Sequence, residues 1–196
     1  MNTRPHALLR TLLPDLPDLA PVLDLTRGPV ASVGPYWIGR YDEDRRGGYP
    51  QALFGGARTL HVGMDVGAPA GTPVHAFAEG TVEHAGINDA PGDYGGVMVT
   101  RHVFDGTARW VLWGHLAHAS TRAWRAGDAF AGGTVLAHLG SPDENGGWPT
   151  HLHLQVAVER PVTHDLPGVV APADRDEALA RFPDPLELLA TAAGRR

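Results

Sequence analysis

A mostly β fold, a small antiparallel sheet or sandwich with an N-terminal arm and a C-terminal helix, is predicted by three features of this sequence. The 25 Gly and 17 Pro among 196 residues suit many turns between short strands and leave little room for long helices. From Arg58 to Glu159, strand-length runs alternate with clusters of Gly, Pro, Asn and Asp. A well-formed helix start comes only near the end, at Asp184-Pro185-Leu186-Glu187.

Residues 1–35 are rich in Leu and Pro without a clean period, and read as a short helix over Pro5–Leu13 followed by an extended arm. Tyr36–Pro50 is polar and turn-rich and is expected to pack on the domain surface, so that 1–50 form an arm and surface extension. The β domain is placed at 51–165, with strands predicted at 59–65, 73–76, 80–85, 97–103, 109–116, 134–139 and 151–158. A loop and helical tail fill 166–196. Residues 174–181 suit a short helix before the final one, where Asp184 caps, Pro185 takes the first helical position and Gly194 supplies the stop. No internal repeat or low-complexity tract interrupts this order.

The bulk numbers narrow the function. Hydrophobic residues at 43% and charged residues at 19% are ordinary for a globular chain that buries its own core. A net charge of -6 provides no broad positive field for nucleic acid or anionic wall polymers. The absence of Cys excludes disulfides and thiolate metal sites. The apolar stretch Ala7–Leu13 is broken by Arg10 and ends at Pro14-Asp15, too short for a signal-peptide core or a membrane span. As written the chain is expected to be cytoplasmic and free of membrane contact, with export open if a leader has been removed.

Eleven histidines stand out, and position sorts them. In the strand-like run His151-Leu152-His153-Leu154-Gln155-Val156-Ala157-Val158-Glu159, alternate residues share a face. Leu152, Leu154, Val156 and Val158 then belong in a core, while His151, His153, Gln155, Ala157 and Glu159 share the opposite face, with the two histidines side by side. An isolated pair of this kind is as readily a solvated face on an edge strand. A second group changes the balance: in His61-Val62-Gly63-Met64-Asp65, an extended chain puts His61 and Asp65 on one face. Two imidazoles and one carboxylate suit zinc and leave its fourth position open. His115 ends the apolar run Trp110–Leu116, directly after a Gly that permits close approach.

In this order, His61-Val62-Gly63-Met64-Asp65, Gly71-Thr72-Pro73-Val74, Gly114-His115-Leu116 and His151-Leu152-His153 closely resemble the lysostaphin (LytM-type) zinc metallopeptidases over about residues 58–160. The resemblance implies one zinc per chain held by His61, Asp65 and His153, with His115 and His151 as catalytic histidines that do not bind the metal. It also implies a duplicated-hybrid-motif β-sheet lining a groove, and hydrolysis of a peptide bond in a peptide or in peptidoglycan cross-links or stem peptides. No His-Glu-x-x-His helix is present, so histidine is the available base; which of His115 and His151 serves is open. A closer likeness, carried by Gly39-Arg40-Tyr41-Asp42-Glu43, Glu144-Asn145-Gly146-Gly147-Trp148-Pro149, Leu166-Pro167-Gly168-Val169 and Pro183-Asp184-Pro185, is to the peptidase-like segment of bacterial fusions with kinase-like and aminotransferase domains. Against the wider family, Trp113 replaces a common Tyr, Thr150 a common Pro and Leu154 a frequent Phe, which bears on groove shape and substrate.

Two other functions are compatible with these motifs. One is a non-catalytic LytM-like regulatory or binding module, although such members lose ligands or a catalytic histidine and this chain keeps all five positions. The other is a cytosolic zinc amide or ester hydrolase of small substrates, which the fusion likeness suggests. His6, His75, His84, His102, His118, His138 and His164 match no ligand motif and are expected to be structural or surface residues. Trp148 suits either the groove or the core. Asp42, Glu43 and Asp44, just upstream of His61, raise the expectation that 36–50 lies along the groove wall and limits access.

Overall fold

The computed structural model describes residues 5–28, 30, 34–49 and 54–195. Its main layer is a seven-stranded sheet in which every pairing is antiparallel. The strands are β1 (Trp37–Gly39), β4 (Met64–Gly67), β6 (Gly80–Asn88), β7 (Gly95–Phe104), β8 (Thr107–Leu116), β9 (Ala129–Phe130) and β11 (His151–Ala157), in the spatial order β1-β4-β11-β8-β7-β6-β9. The long β7–β8 hairpin turns at Asp105-Gly106, where φ values of 49° and 75° match the handedness that a tight hairpin loop needs. Two small sheets flank the main one: β12 (Val169–Val170), β3 (Leu60–His61) and β2 (Glu43–Asp44) in one, β10 (Val135–His138) with β5 (Pro73–His75) in the other.

The run 59–65, expected as one strand, is two. β3 belongs to the three-stranded sheet and β4 to the main sheet, so His61 and Asp65 reach their common site from different sheets. The break falls at Val62-Gly63, where Val62 turns its N–H to the Gly168 carbonyl, 3.0 Å away. A Cβ on Gly63 would lie 2.4 Å from His153 Cε1, so only glycine lets the chain cross beneath that ring.

β11 lies inside the sheet between β4 and β8, with His153 opposite Asp65 on one side and Gly114 on the other. All seven of its residues are buried, which removes the solvated-face reading. Leu152, Leu154 and Val156 join Val66, Val111 and Trp113 in the main core. Trp113 and Leu154, two of the departures from the family pattern, therefore fill the core; the Trp113 indole donates to Thr100 Oγ1 at 2.8 Å.

The N-terminal segment is woven into the domain. Helix α1 (Pro5–Leu9) is shorter than expected, since beyond it the chain tightens into turns with Thr11 N–H on Leu8 O and Leu12 N–H on Leu9 O, both at 3.0 Å, yet Leu9, Leu12, Leu13 and Leu16 all sit in the main core. Tyr36–Pro50 does not simply coat the surface: β1 extends the main sheet, and Trp37, Ile38, Glu43 and Arg45 are buried. Of the charges in this stretch, Glu43 and Arg45 are buried and pair with each other, Arg45 Nε donating to Glu43 Oε2 at 2.9 Å. A short helix, α2 (His118–Arg122), follows β8. At the C-terminus α3 (Arg175–Arg181) precedes α4 (Pro185–Ala193), where Asp184 accepts from the Leu186 N–H at 2.9 Å as the capping signal predicts. Among the described residues no helix is long and apolar enough to cross a membrane.

Candidate metal centre

Where β3, β4 and β11 meet, three buried donor atoms converge. His61 Nε2 lies 3.1 Å from His153 Nδ1 and 3.3 Å from Asp65 Oδ1, and His153 Nδ1 lies 3.0 Å from the same oxygen. Their groups form a cluster able to hold a metal ion. Tetrahedral zinc with bonds of about 2.0–2.1 Å sets its ligand atoms about 3.3 Å apart, close to this triangle.

The hydrogen bonds behind each donor show which atoms are left for a cation. His61 Nδ1 donates to the Arg40 carbonyl at 3.0 Å, which leaves its lone pair on Nε2. The Gln155 amide nitrogen donates to Pro167 O at 3.2 Å, so its oxygen faces His153 Nε2 at 3.2 Å and takes that proton. His153 then presents a lone pair from Nδ1. Asp65 Oδ2 is occupied by Arg45 Nη1 at 2.6 Å, leaving Oδ1 for the site. Two lone pairs and a carboxylate oxygen about 3 Å apart repel unless a cation lies among them. Burial, then the Arg45 charge, pushes His61 down to about 4. Burial alone would raise the Asp65 carboxyl, yet His61 and Arg45 hold it well below the usual carboxylate range. The donor set, its spacing and its outer hydrogen bonds all fit zinc.

The two remaining motif histidines border this cluster. His151 Nε2 lies 3.7 Å from Asp65 Oδ1, and its Nδ1 donates to Pro149 O at 2.6 Å. His115 donates from Nδ1 to Asn145 O at 3.0 Å, and its ring is 4.2 Å from that of His151. His115 has a φ of 62°, rare for a residue with a side chain. Its backbone is held there from both sides, its N–H on Tyr94 O at 3.0 Å and its carbonyl under the Gly140 N–H at 2.9 Å. Gly114 permits the close approach its position suggested, since a Cβ there would sit 2.6 Å from the Tyr94 ring. Burial first, then neighbouring imidazoles, pushes His115 well below the ordinary histidine range; His151 is also lowered, chiefly by burial.

A pocket of about 420 Å³ opens over the five residues. Trp148 lines it, as do Trp37, Arg45 and Tyr49 from the segment 36–50. Trp37 packs on the His151 ring, with centroids 5.5 Å apart. Asp42 instead pairs with Arg175, and Asp44 with Thr59 and Arg46, so neither caps the three donors. The other histidines lie apart from the cluster. His102, for example, is 1% exposed and spans Thr100 Oγ1 at 2.9 Å and Glu79 O at 2.8 Å.

Arg45, Tyr94 and Gln155 are site residues that sequence patterning does not single out. Gln155 shares the face of His153, which was the available signal. Arg45 carries none, because its partner Asp65 is brought to it only by the fold. The Tyr94 hydroxyl donates to Leu166 O at 3.0 Å and its ring fills the space beside His115 and His153, at centroid distances of 5.7 and 5.2 Å.

Comparison with known proteins agrees with this geometry. The sequence profile of Peptidase family M23 matches residues 59–164, just over half of the chain. The DD-carboxypeptidase/endopeptidase Mpg of Neisseria meningitidis serogroup B is 34% identical over 112 residues, covering 55% of this chain. The same figures hold for its counterpart in Neisseria gonorrhoeae. This chain spans 23% of the length of those proteins. Among solved structures, the catalytic domain of the antimicrobial peptidase lysostaphin from Staphylococcus simulans superposes with a TM-score of 0.51 at 22% identity, over 79% of this chain and 92% of that domain. The fold is therefore that of the lysostaphin catalytic domain, and the chain belongs to Peptidase family M23, the metallopeptidase family that its His-Asp-His motifs resemble.

Proposed function

We propose that this protein is a zinc-dependent endopeptidase or carboxypeptidase acting on peptide bonds of the kind found in peptidoglycan, with one zinc held by His61 Nε2, Asp65 Oδ1 and His153 Nδ1. The observation that carries the proposal is the triangle of donor atoms at 3.0–3.3 Å, each with its other polar atom already engaged. Bound there, zinc supplies Lewis acidity, which activates water near neutral pH and polarises a scissile carbonyl.

The chain's own groups account for the remaining steps. With Nδ1–H given to Pro149 O, His151 offers the Nε2 lone pair beside Asp65, placed to take the proton of the attacking water. That proton is then available to the departing amine from the same atom. His115, its Nδ1–H likewise given to Asn145 O, presents a second Nε2 lone pair on the neighbouring ring, placed to accept from the attacking water or the substrate beside His151. The carbonyls of Pro149 and Asn145 fix both rings, so neither tautomer nor orientation changes during the cycle. Arg45 keeps Asp65 singly available to the metal by occupying its second oxygen.

The substrate class is supported by the Neisseria relatives, described as DD-carboxypeptidase/endopeptidase, and by the family itself. The test is to incubate the zinc-loaded protein with purified peptidoglycan and with short peptides, following new amino groups and fragment masses, with a chelator control. Chelator-sensitive release of peptide fragments is expected. Intact substrates beside a protein of full zinc content would favour a binding module instead.

A further inference from the structure

Resting on the peptidase reading above, we propose that Asn145 is the positioning residue for both His115 and His151: its side chain holds one loop in the shape that aims the Nε2 atoms of the two rings into the pocket together. The rings come from different strands, His115 from the end of β8 and His151 from the start of β11. Yet each gives its Nδ1–H to a carbonyl of the same loop, Asn145 O at 3.0 Å and Pro149 O at 2.6 Å. The placing of those two carbonyls therefore sets how the rings, with centroids 4.2 Å apart, stand to each other.

The span between the carbonyls is folded around one amide. Asn145 is 0% exposed. Its Oδ1 accepts from the Gly147 N–H at 3.2 Å and from the Trp148 N–H at 3.0 Å, and its Nδ2 donates to the Trp148 carbonyl at 3.0 Å. The side chain thus closes on the backbone two and three residues ahead, a local bonding pattern for which asparagine is suited. Gly146 and Gly147 permit this turn, with φ of 82° and 86°, a backbone conformation that residues with side chains rarely adopt. Both backbone polar groups of Trp148 are held by Asn145, and the Trp148 carbonyl belongs to the peptide that leads directly into Pro149.

The start of the loop is seated separately. The Gly92 N–H donates to Gly146 O at 2.9 Å, and Glu144 Oε2 accepts from the His118 N–H at 3.0 Å. A Cβ on Gly95 would collide with the Glu144 carbonyl, so the two chains touch there backbone to backbone. These contacts anchor the loop near 144–146 and leave the path from Gly147 to Pro149 to the Asn145 side chain. An imidazole that loses its carbonyl partner is free to carry its proton on either nitrogen, and the wrong tautomer removes the lone pair from Nε2. A ring displaced by about 1 Å also loses much of its rate advantage.

The test compares the zinc-loaded full chain with its Asn145→Ala and Asn145→Ser variants, each carrying isotope-labelled histidine, because nitrogen NMR shifts separate a protonated ring nitrogen from one with a free lone pair. In the parent, His115 and His151 should both carry the proton on Nδ1. In Asn145→Ala both should move toward a mixture of tautomers, while His102, held by Glu79 O, stays as in the parent. On a cleaved peptide, kcat should fall by about 10–100-fold with KM and zinc content nearly unchanged. Asn145→Ser keeps an acceptor and loses the donor to Trp148; it should show the same shift to a smaller extent, and carries the test if the alanine protein does not fold. Shifted tautomers in variants of a protein that cleaves nothing support the role of Asn145 while the peptidase reading fails alone. Parent-like tautomers in the folded variants, or equal movement at His102, overturn the positioning role and leave the peptidase reading to the cleavage assay.

Discussion

Replacing Arg45 with methionine removes the guanidinium that lies between two buried carboxylates. Arg45 is 6% exposed, and its partners Glu43 and Asp65 are 4% and 3% exposed. It donates to Glu43 Oε2 at 2.9 Å and to Asp65 Oδ2 at 2.6 Å. Removing one member of a buried charge pair costs about 3–5 kcal/mol, because the charge left behind is out of water and has lost its close counter-ion. Against a total stability of about 5–15 kcal/mol for a domain, such a loss shifts the unfolding midpoint far. Zinc changes the outcome in a defined direction. With the metal bound, Asp65 keeps a cation on Oδ1 and only Glu43 loses its close counter-ion, keeping the Leu25 N–H at 3.1 Å and Arg40 Nη1 at 3.7 Å, so the loss should fall to about 1–3 kcal/mol. The difference requires the variant to bind zinc more tightly than the parent, by about tenfold or more. Urea unfolding followed by tryptophan fluorescence, with chelator and with saturating zinc, measures both losses. A loss below about 1 kcal/mol in the metal-free protein, or a larger loss with zinc than without, would refute this electrostatic account.

Gln155→Leu should keep the fold and weaken zinc binding by about 10–100-fold, because the carbonyl that directs the His153 proton to Nε2 is gone; competition with a chromophoric chelator reads this, and an unchanged affinity contradicts it. His102 should make folding pH-sensitive. Burial pushes it to about 4 from its usual 6.5, so its contribution is complete above about pH 6.5 and is lost as pH falls toward 4. That loss is on the order of 3 kcal/mol. His102→Gln should therefore lose that much less stability between pH 7 and pH 4 in urea titrations, and parallel pH profiles for variant and parent would argue against the assignment.

The long strands were legible because each buries one alternating or continuous apolar face over many residues, as in β7, β8 and β11. The short strands β1, β2, β9 and β12 have two or three residues each, and their partners lie far along the chain, so no local pattern marks them. Parity put His61 and Asp65 together, but through a straight strand; the structure brings them together across two sheets, with Gly63 as the crossing point. His151 and His153 do share a face of β11, and that face is buried. Arg45 was invisible among the charges of 36–50, since a cation's local sequence does not reveal a carboxylate 20 residues away. The same segment supplies the pocket wall, because Trp37 and Tyr49 are placed by pairing of β1 and by Arg45 respectively. Leu9, Leu12, Leu13 and Leu16 also belong to the main core, so this part of the chain contributes packing as well as groove wall.

The central claim is that His61, Asp65 and His153 hold zinc while His151 and His115, only a few ångströms away, do not. Zinc content measured by elemental analysis on the parent, His151→Ala and His153→Ala proteins, with hydrolysis rates on the same preparations, tests it most directly. The parent and His151→Ala should each carry one zinc per chain, the latter with turnover reduced by about 10²–10⁴-fold, and His153→Ala should carry none. A full zinc complement in His153→Ala, or release of the metal from His151→Ala as readily as from His153→Ala, would contradict the account.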